Sequence, residues 1–77
     1  MDWDHMSDHS PDLSLVVPVL DEQDAIPVFL DRILPVLERI GRRYEILFVD
    51  DGSTDATAEV IETAAQSNPI IRLVRLT

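Results

Sequence analysis

The apolar run Ile46-Leu47-Phe48-Val49 stops at two adjacent carboxylates, Asp50 and Asp51, and Gly52, Ser53, Thr54 and Asp55 follow directly. No other stretch so narrows the folds open to this chain. Apolar residues rich in β-branched and aromatic types, bounded by turn residues, read as a strand buried in a sheet. Serine, threonine and aspartate are the residue types that start helices. A buried strand that passes straight into a helix is the building unit of α/β proteins. In open sheets of that class, ligands bind outside the carboxyl ends of the strands. Neighbouring acids repel each other and do not belong in a core. Singly, each acid has a structural reading: Asp50 ends the strand, Asp51 and Gly52 form a turn, and Asp55 caps the helix. Together, at a strand-to-helix junction, they point to an edge that meets a ligand.

The flanking sequence supplies the rest of such a sheet. Leu13 to Leu20 is apolar and β-branched, the pattern of a strand buried on both faces. Pro18 cannot donate a ladder hydrogen bond, so the strand must end, bulge or lie at an edge there. After a loop at Asp21-Glu22-Gln23, a helix is expected from about Asp24, its candidate N-cap, with Pro27 tolerated in the first turn. Ile26, Leu30, Ile33, Leu34, Leu37 and Ile40 recur at steps of three and four and form one apolar stripe. Pro35 should kink this helix, and Gly41 should stop it. Tyr44 to Val49 is the second strand. Asp55 to Gln66 is the second helix, with Ala58, Ile61, Ala64 and Ala65 on its buried side, and Asn68-Pro69 breaks it. Ile70 to Leu76 is a third strand, partly exposed at Arg72 and Arg75. The order β-α-β-α-β with short connections predicts an α/β fold with a three-stranded parallel sheet and right-handed crossovers.

Residues 1–12, MDWDHMSDHSPD, lack apolar periodicity and read as a disordered acidic tail, leaving residues 13–77 as one small domain. Trp3 reads as an exposed or loosely docked tail residue. His5 and His9 are spaced like a helical metal pair, but no helix is expected to hold them. With 77 residues the chain has room for one modest core. The absence of cysteine removes disulfides, thiolate metal sites and a cysteine nucleophile. No apolar run reaches membrane-spanning length, and the acidic N-terminus is no secretory signal. The expectation is a soluble, cytoplasmic chain, or one at the cytoplasmic face of a membrane within a longer parent. A net charge of -9 sets the surface against nucleic acid.

Two acid pairs, Asp21-Glu22 and Asp50-Asp51, fall after consecutive strands and therefore at one edge of a parallel sheet. Such a rim can accept hydrogen bonds from sugar hydroxyls and base N–H groups, hold a divalent cation, or stand as a solvated acidic surface. Several familiar sites fail on spacing. A dinucleotide site needs a glycine-rich turn after strand one, and Pro18 to Gln23 contains no glycine. A phosphate loop needs a Gly-Lys pair, and receiver domains use a lysine; every basic residue here is arginine. Aspartyl-phosphate enzymes of the haloacid dehalogenase kind separate their two acids by one residue, whereas Asp50 and Asp51 are adjacent.

The run Leu15 to Glu22, the helix after it, and Val49 to Asp55 together resemble the start of family 2 glycosyltransferases. These are GT-A fold enzymes that transfer a sugar from a nucleotide-diphosphate donor, and the closer likeness is to polyprenyl-phosphate and dolichyl-phosphate sugar transferases. The resemblance covers residues 13–77, so the expected fold is a partial, Rossmann-like GT-A unit. It implies that Pro18, Leu20 and Glu22 line the nucleotide pocket after strand one. It implies that Val49 and Asp51 flank the base and ribose, with Asp51 the acceptor for a base N–H, and that Asp50 shapes the turn. The chain departs from the family where Tyr-Asn usually precedes the glutamate. Leu20-Asp21 stand there instead, and aromatic stacking on the base is lost. The family's Mg²⁺ or Mn²⁺ is gripped by an Asp-x-Asp element after a fourth strand. The resemblance therefore implies that the metal ligands and acceptor machinery lie beyond Thr77, and that this portion alone is inactive. The implied partner is a nucleotide-sugar donor, with a polyprenyl phosphate as a candidate acceptor and self-association through the open edge of strand one. An alternative is a non-catalytic βαβαβ interaction module, favoured by Leu20 in the stacking position.

Overall fold

The computed structural model of the chain describes residues 11–76. The histidine pair, Trp3 and all of the acidic leader but Pro11 and Asp12 lie outside the described residues. The elements follow as β1 (Leu13–Val19), α1 (Ala25–Ile40), β2 (Tyr44–Asp50), α2 (Thr57–Ser67) and β3 (Ile71–Arg75). The strands form one parallel sheet in chain order, with Pro18 opposite Val49, Val19 opposite Asp50, and Val49 opposite Val74. The expected α/β class and βαβαβ order are both present. Asp12, assigned to the tail from sequence, is tied to the sheet: its N–H donates to the Arg43 carbonyl at 2.8 Å and its carboxylate pairs with the Arg43 guanidinium at 3.5 Å.

Strands laid down in chain order by two right-handed crossovers receive both helices on the same face. That face holds the core, where Ile26, Leu30 and Leu37 of α1 and Ile61 of α2 meet Val19, Ile46, Phe48 and Ile71 of the sheet. Phe29 and Phe48 meet edge to face, with ring centroids 6.0 Å apart. Among the described residues the opposite face is uncovered. β1 is therefore not buried on both faces as its composition suggested: Val16 is 57% exposed. Its apolar alternate positions remain on the surface because no element of the described chain lies over them.

Local chemistry sets the helix boundaries. Gly41 ends α1 at φ 73°, its N–H returning to the Glu38 carbonyl at 3.2 Å. α1 runs unbroken from Ala25 to Ile40 through Pro35, which lies on its exposed side, where water can reach the carbonyl that the missing N–H leaves free. Ile40, expected in the apolar stripe, is 51% exposed. It follows Leu37 by three residues, which carries it about 60° off the buried line at the last turn. Asp24 occupies the N-cap position but makes no side-chain cap. The Glu22 carbonyl instead accepts from the N–H groups of Ala25 and Ile26 at 3.0 and 3.2 Å. Pro18 solves its own problem by position. The Val19 carbonyl accepts from Asp51 N–H at 3.1 Å, so odd-numbered residues of β1 direct their backbone groups to β2, and the proline nitrogen faces the free edge.

Candidate functional site

The carboxyl ends of β1 and β2 bring five of the six expected site residues to the surface. Pro18 and Val49 are register partners on the uncovered face. Leu20, 53% exposed, follows the end of β1. Glu22 and Asp51 are exposed in the two strand-to-helix loops. Asp50 goes the other way. Strand alternation with buried Ile46 and Phe48 turns it toward the helices, where it is 1% exposed. Its carboxylate accepts from the Ser53 N–H at 3.0 Å and from the Ser53 hydroxyl, closing the turn through Gly52 at φ 85°. The Asp51 carboxylate, by contrast, has no hydrogen bond or ion pair among the described residues.

The two loops are fastened to each other by bonds running in both directions. Asp21 adopts φ 52°, the left-handed region that aspartate and asparagine tolerate better than other side-chain-bearing residues. From there its Oδ1 accepts the Thr54 N–H at 2.7 Å and the Asp55 N–H at 3.3 Å, while its own N–H donates to Ser53 Oγ at 2.9 Å. Glu22 N–H donates to Thr57 Oγ1 at 2.7 Å, and Gln23 N–H to Asp55 Oδ2 at 3.3 Å. Ala56 N–H returns to Gln23 Oε1 at 2.8 Å. Asp55 Oδ1 accepts both the N–H and the hydroxyl of Thr57. Asp55 thereby supplies the first turn of α2 from one position ahead of Ala56, whose methyl group cannot cap. The Thr57 hydroxyl holds the Asp55 carboxyl below its ordinary value of 3.8; partial burial opposes this, and the N–H groups of Thr57, Gln23 and Asp55 add to it.

Sequence reasoning passed over Asp21, Gln23, Ser53 and Thr57 in these roles. One signal was available. In a strand-to-helix loop with no glycine, a left-handed position falls most readily on aspartate or asparagine, and Asp21 is the first such residue after β1. Nothing in the sequence marked Thr57, whose hydroxyl is wholly buried.

The divalent metal implied by the family resemblance does not fit the residues present. Asp21, Asp50 and Asp55 each commit carboxylate oxygens to amide or hydroxyl donors. Among the described residues no group of three or more His, Cys, Asp or Glu side chains is placed to hold an ion. No helix among them is long and apolar enough to cross a membrane.

A parallel βαβαβ unit with polar, laced loops at its carboxyl edge is a Rossmann-like α/β unit, of the kind that meets ligands at that edge. Comparison with known proteins gives the family: a model described as Glycosyl transferase family 2 matches residues 14–77. The chain belongs to glycosyl transferase family 2. The undecaprenyl-phosphate 4-deoxy-4-formamido-L-arabinose transferase of Pectobacterium carotovorum subsp. carotovorum (strain PC1) is 42% identical over 64 residues, which cover 83% of this chain and 19% of that protein. The prophage bactoprenol glucosyl transferase homolog of Escherichia coli (strain K12) is 42% identical over 59 residues, covering 77% of this chain and 19% of that protein. Among solved structures, the mannosyltransferase PcManGT from Pyrobaculum calidifontis, in complex with GDP-Man and Mn²⁺, superimposes with a TM-score of 0.61 at 27% identity, over 86% of this chain and 19% of that one. The chain thus spans 19% of the length of each of these relatives.

Proposed function

We propose that the carboxyl edge of this sheet binds the nucleotide of a nucleotide-diphosphate sugar, the donor for transfer to an acceptor such as a polyprenyl phosphate. Asp51 carries this reading. Asp21, Asp50 and Asp55 are committed to the protein's own donors, whereas the Asp51 carboxylate, directly after β2, is exposed and uncommitted among the described residues. Its backbone is fixed by the N–H bond to the Val19 carbonyl at 3.1 Å. A rigidly mounted, unpaired carboxylate suits a base N–H donor. Beside it, the register pair Pro18 and Val49 offers an apolar floor for the base, and Leu20 and the Glu22 carboxylate border the ribose side. The names of the relatives, two of them polyprenyl-type sugar transferases and one a mannosyltransferase holding GDP-Man, support the donor and acceptor classes.

Among the described residues no group of three or more His, Cys, Asp or Glu side chains is placed to hold a metal ion, so binding without transfer is the expected behaviour of this chain. Titration with UDP-, GDP- and dTDP-sugars tests the site. One of them is expected to bind at millimolar concentration or better, with Asp51→Ala weakening it about tenfold. An unchanged affinity would remove Asp51 from the site. No response from folded protein to any of the three would favour a non-catalytic interaction module, the reading to which Leu20 in place of an aromatic residue leans.

We also propose that the chain self-associates through the free edge of β1, where Ser14 and Val16 direct their N–H and carbonyl groups away from the sheet.

A further inference from the structure

We infer that Asp21 is the positioning residue of this edge: its carboxylate, presented from a left-handed backbone, locks the loop carrying Glu22 to the loop carrying Asp51 so that the two form one preset surface. The inference rests on the nucleotide reading for what that surface binds, and on geometry alone for the lock.

Glu22 and Asp51 belong to different crossovers, and among the described residues neither side chain makes a hydrogen bond or ion pair with the other's loop. Their separation is set by whatever joins the loops. The strand ladder fixes β1 to β2 only as far as Asp51 N–H and the Val19 carbonyl. Beyond that point the chains diverge toward separate helices. Asp21 stands at the divergence. Its Oδ1 takes the N–H groups of two successive residues, Thr54 at 2.7 Å and Asp55 at 3.3 Å, together with the Thr54 hydroxyl at 3.3 Å. Successive amides converging on one oxygen form a small anion cradle of the kind that usually holds a ligand's charge. Here the protein fills the cradle itself.

The reciprocal bond, Asp21 N–H to Ser53 Oγ at 2.9 Å, reaches the same serine whose N–H and hydroxyl are held by Asp50. Asp50 directly precedes Asp51. Displacement of Asp21 would therefore pass through Ser53 to Asp50 and the backbone of Asp51. On its other side Asp21 adjoins Glu22, whose N–H is held by Thr57 Oγ1 at 2.7 Å. Asp21 commits its Oδ1 to these loop donors. It acts through Glu22 and Asp51.

Two properties of Asp21 are separable by substitution. Glycine keeps the backbone at φ 52° and removes the acceptor. Asparagine keeps both the conformation and an Oδ1 acceptor. Alanine removes the acceptor and strains the backbone.

The experiment measures amide hydrogen exchange at Thr54 and Asp55, with Ile46 and Phe48 as strand controls, in the wild-type chain and in Asp21→Gly, Asp21→Asn and Asp21→Ala. The same proteins are titrated with UDP-glucose, GDP-mannose and dTDP-glucose. In Asp21→Gly, exchange at Thr54 and Asp55 is expected to rise at least tenfold with the strand controls unchanged, and affinity for the best of the three probes to fall about tenfold. Asp21→Asn should restore both. Should Asp21→Ala lose strand protection through unfolding, the glycine and asparagine variants decide alone. Wild-type protection and affinity in Asp21→Gly would overturn the inference, since backbone shape without the carboxylate would then suffice. Faster exchange with unchanged affinity would overturn positioning and leave the nucleotide site standing. No wild-type binding of any probe, with the exchange pattern as expected, would overturn the nucleotide reading and confirm the lock.

Discussion

Asp55 is the residue whose charge state the fold most clearly sets. The Thr57 hydroxyl first, and then the surrounding N–H groups, hold its carboxyl below 3.8. A carboxylate whose folded value is depressed contributes stability that is fully present above the unfolded value and is lost as pH falls through the folded one. The Thr57 and Gln23 amide resonances should accordingly move together in an acid titration, with a midpoint below 3.8. Asp55→Asn should abolish that movement. A midpoint at or above the ordinary value would show that the Thr57 hydroxyl does not hold the charged form. The prominence of Asp50 and Asp51 was legible in sequence, but the sorting of one from the other was not, because all four residues from Ile46 to Val49 are apolar and give no sequence sign of which face is covered. Ile46 and Phe48 are the buried residues of β2, so a period of two sends Asp50 inward and Asp51 out. The bonds made by Asp21, Gln23 and Thr57 were not legible. They join residues more than thirty positions apart, whose approach depends on two helices having already packed.

The helices and strands themselves were read with little loss, because each is announced by local chemistry. Gly41 is the clearest stop signal: at φ 73° it ends α1 with open space where a Cβ would stand. Gly41→Ala should therefore cost only backbone strain, about 1 kcal/mol, measurable as a lowered urea midpoint with an unchanged slope. A loss several times larger would mean that the turn into Tyr44 bears on the core. The start of α2 was placed at Asp55 and lies at Thr57, since Asp55 lends its side chain to the turn rather than its backbone to the helix. β1 was the misread element. Val16 and Leu15 look alike in sequence, and only topology distinguishes the covered face from the bare one.

At the scale of the whole molecule, the sheet has, among the described residues, helices on one side and two open edges. Parallel sheets ordinarily carry cover on both faces, so bare Val16, Val74 and Leu20 mark surface to be protected from water. Sedimentation should therefore show an average mass that rises with protein concentration, and a melting transition that shifts with it. Substituting Val16 by lysine on the bare face should suppress both effects. A monodisperse monomer with a sharp, concentration-independent transition would exclude self-association through β1. Pro18 already limits the contact: with no N–H on the free edge, it leaves Ser14 and Val16 as the donors that a second strand could use.

The reciprocal lacing of Asp21–Gln23 with Ser53–Thr57 also bears on how such an edge can be rebuilt. A loop grafted alone from another member of the family would arrive with donors facing acceptors that are no longer there. Were the edge to bind a nucleotide sugar as proposed, donor preference would be exchanged by moving the two loops as a matched pair, with residue 21 and the amides of residues 54 and 55 as the terms of the match.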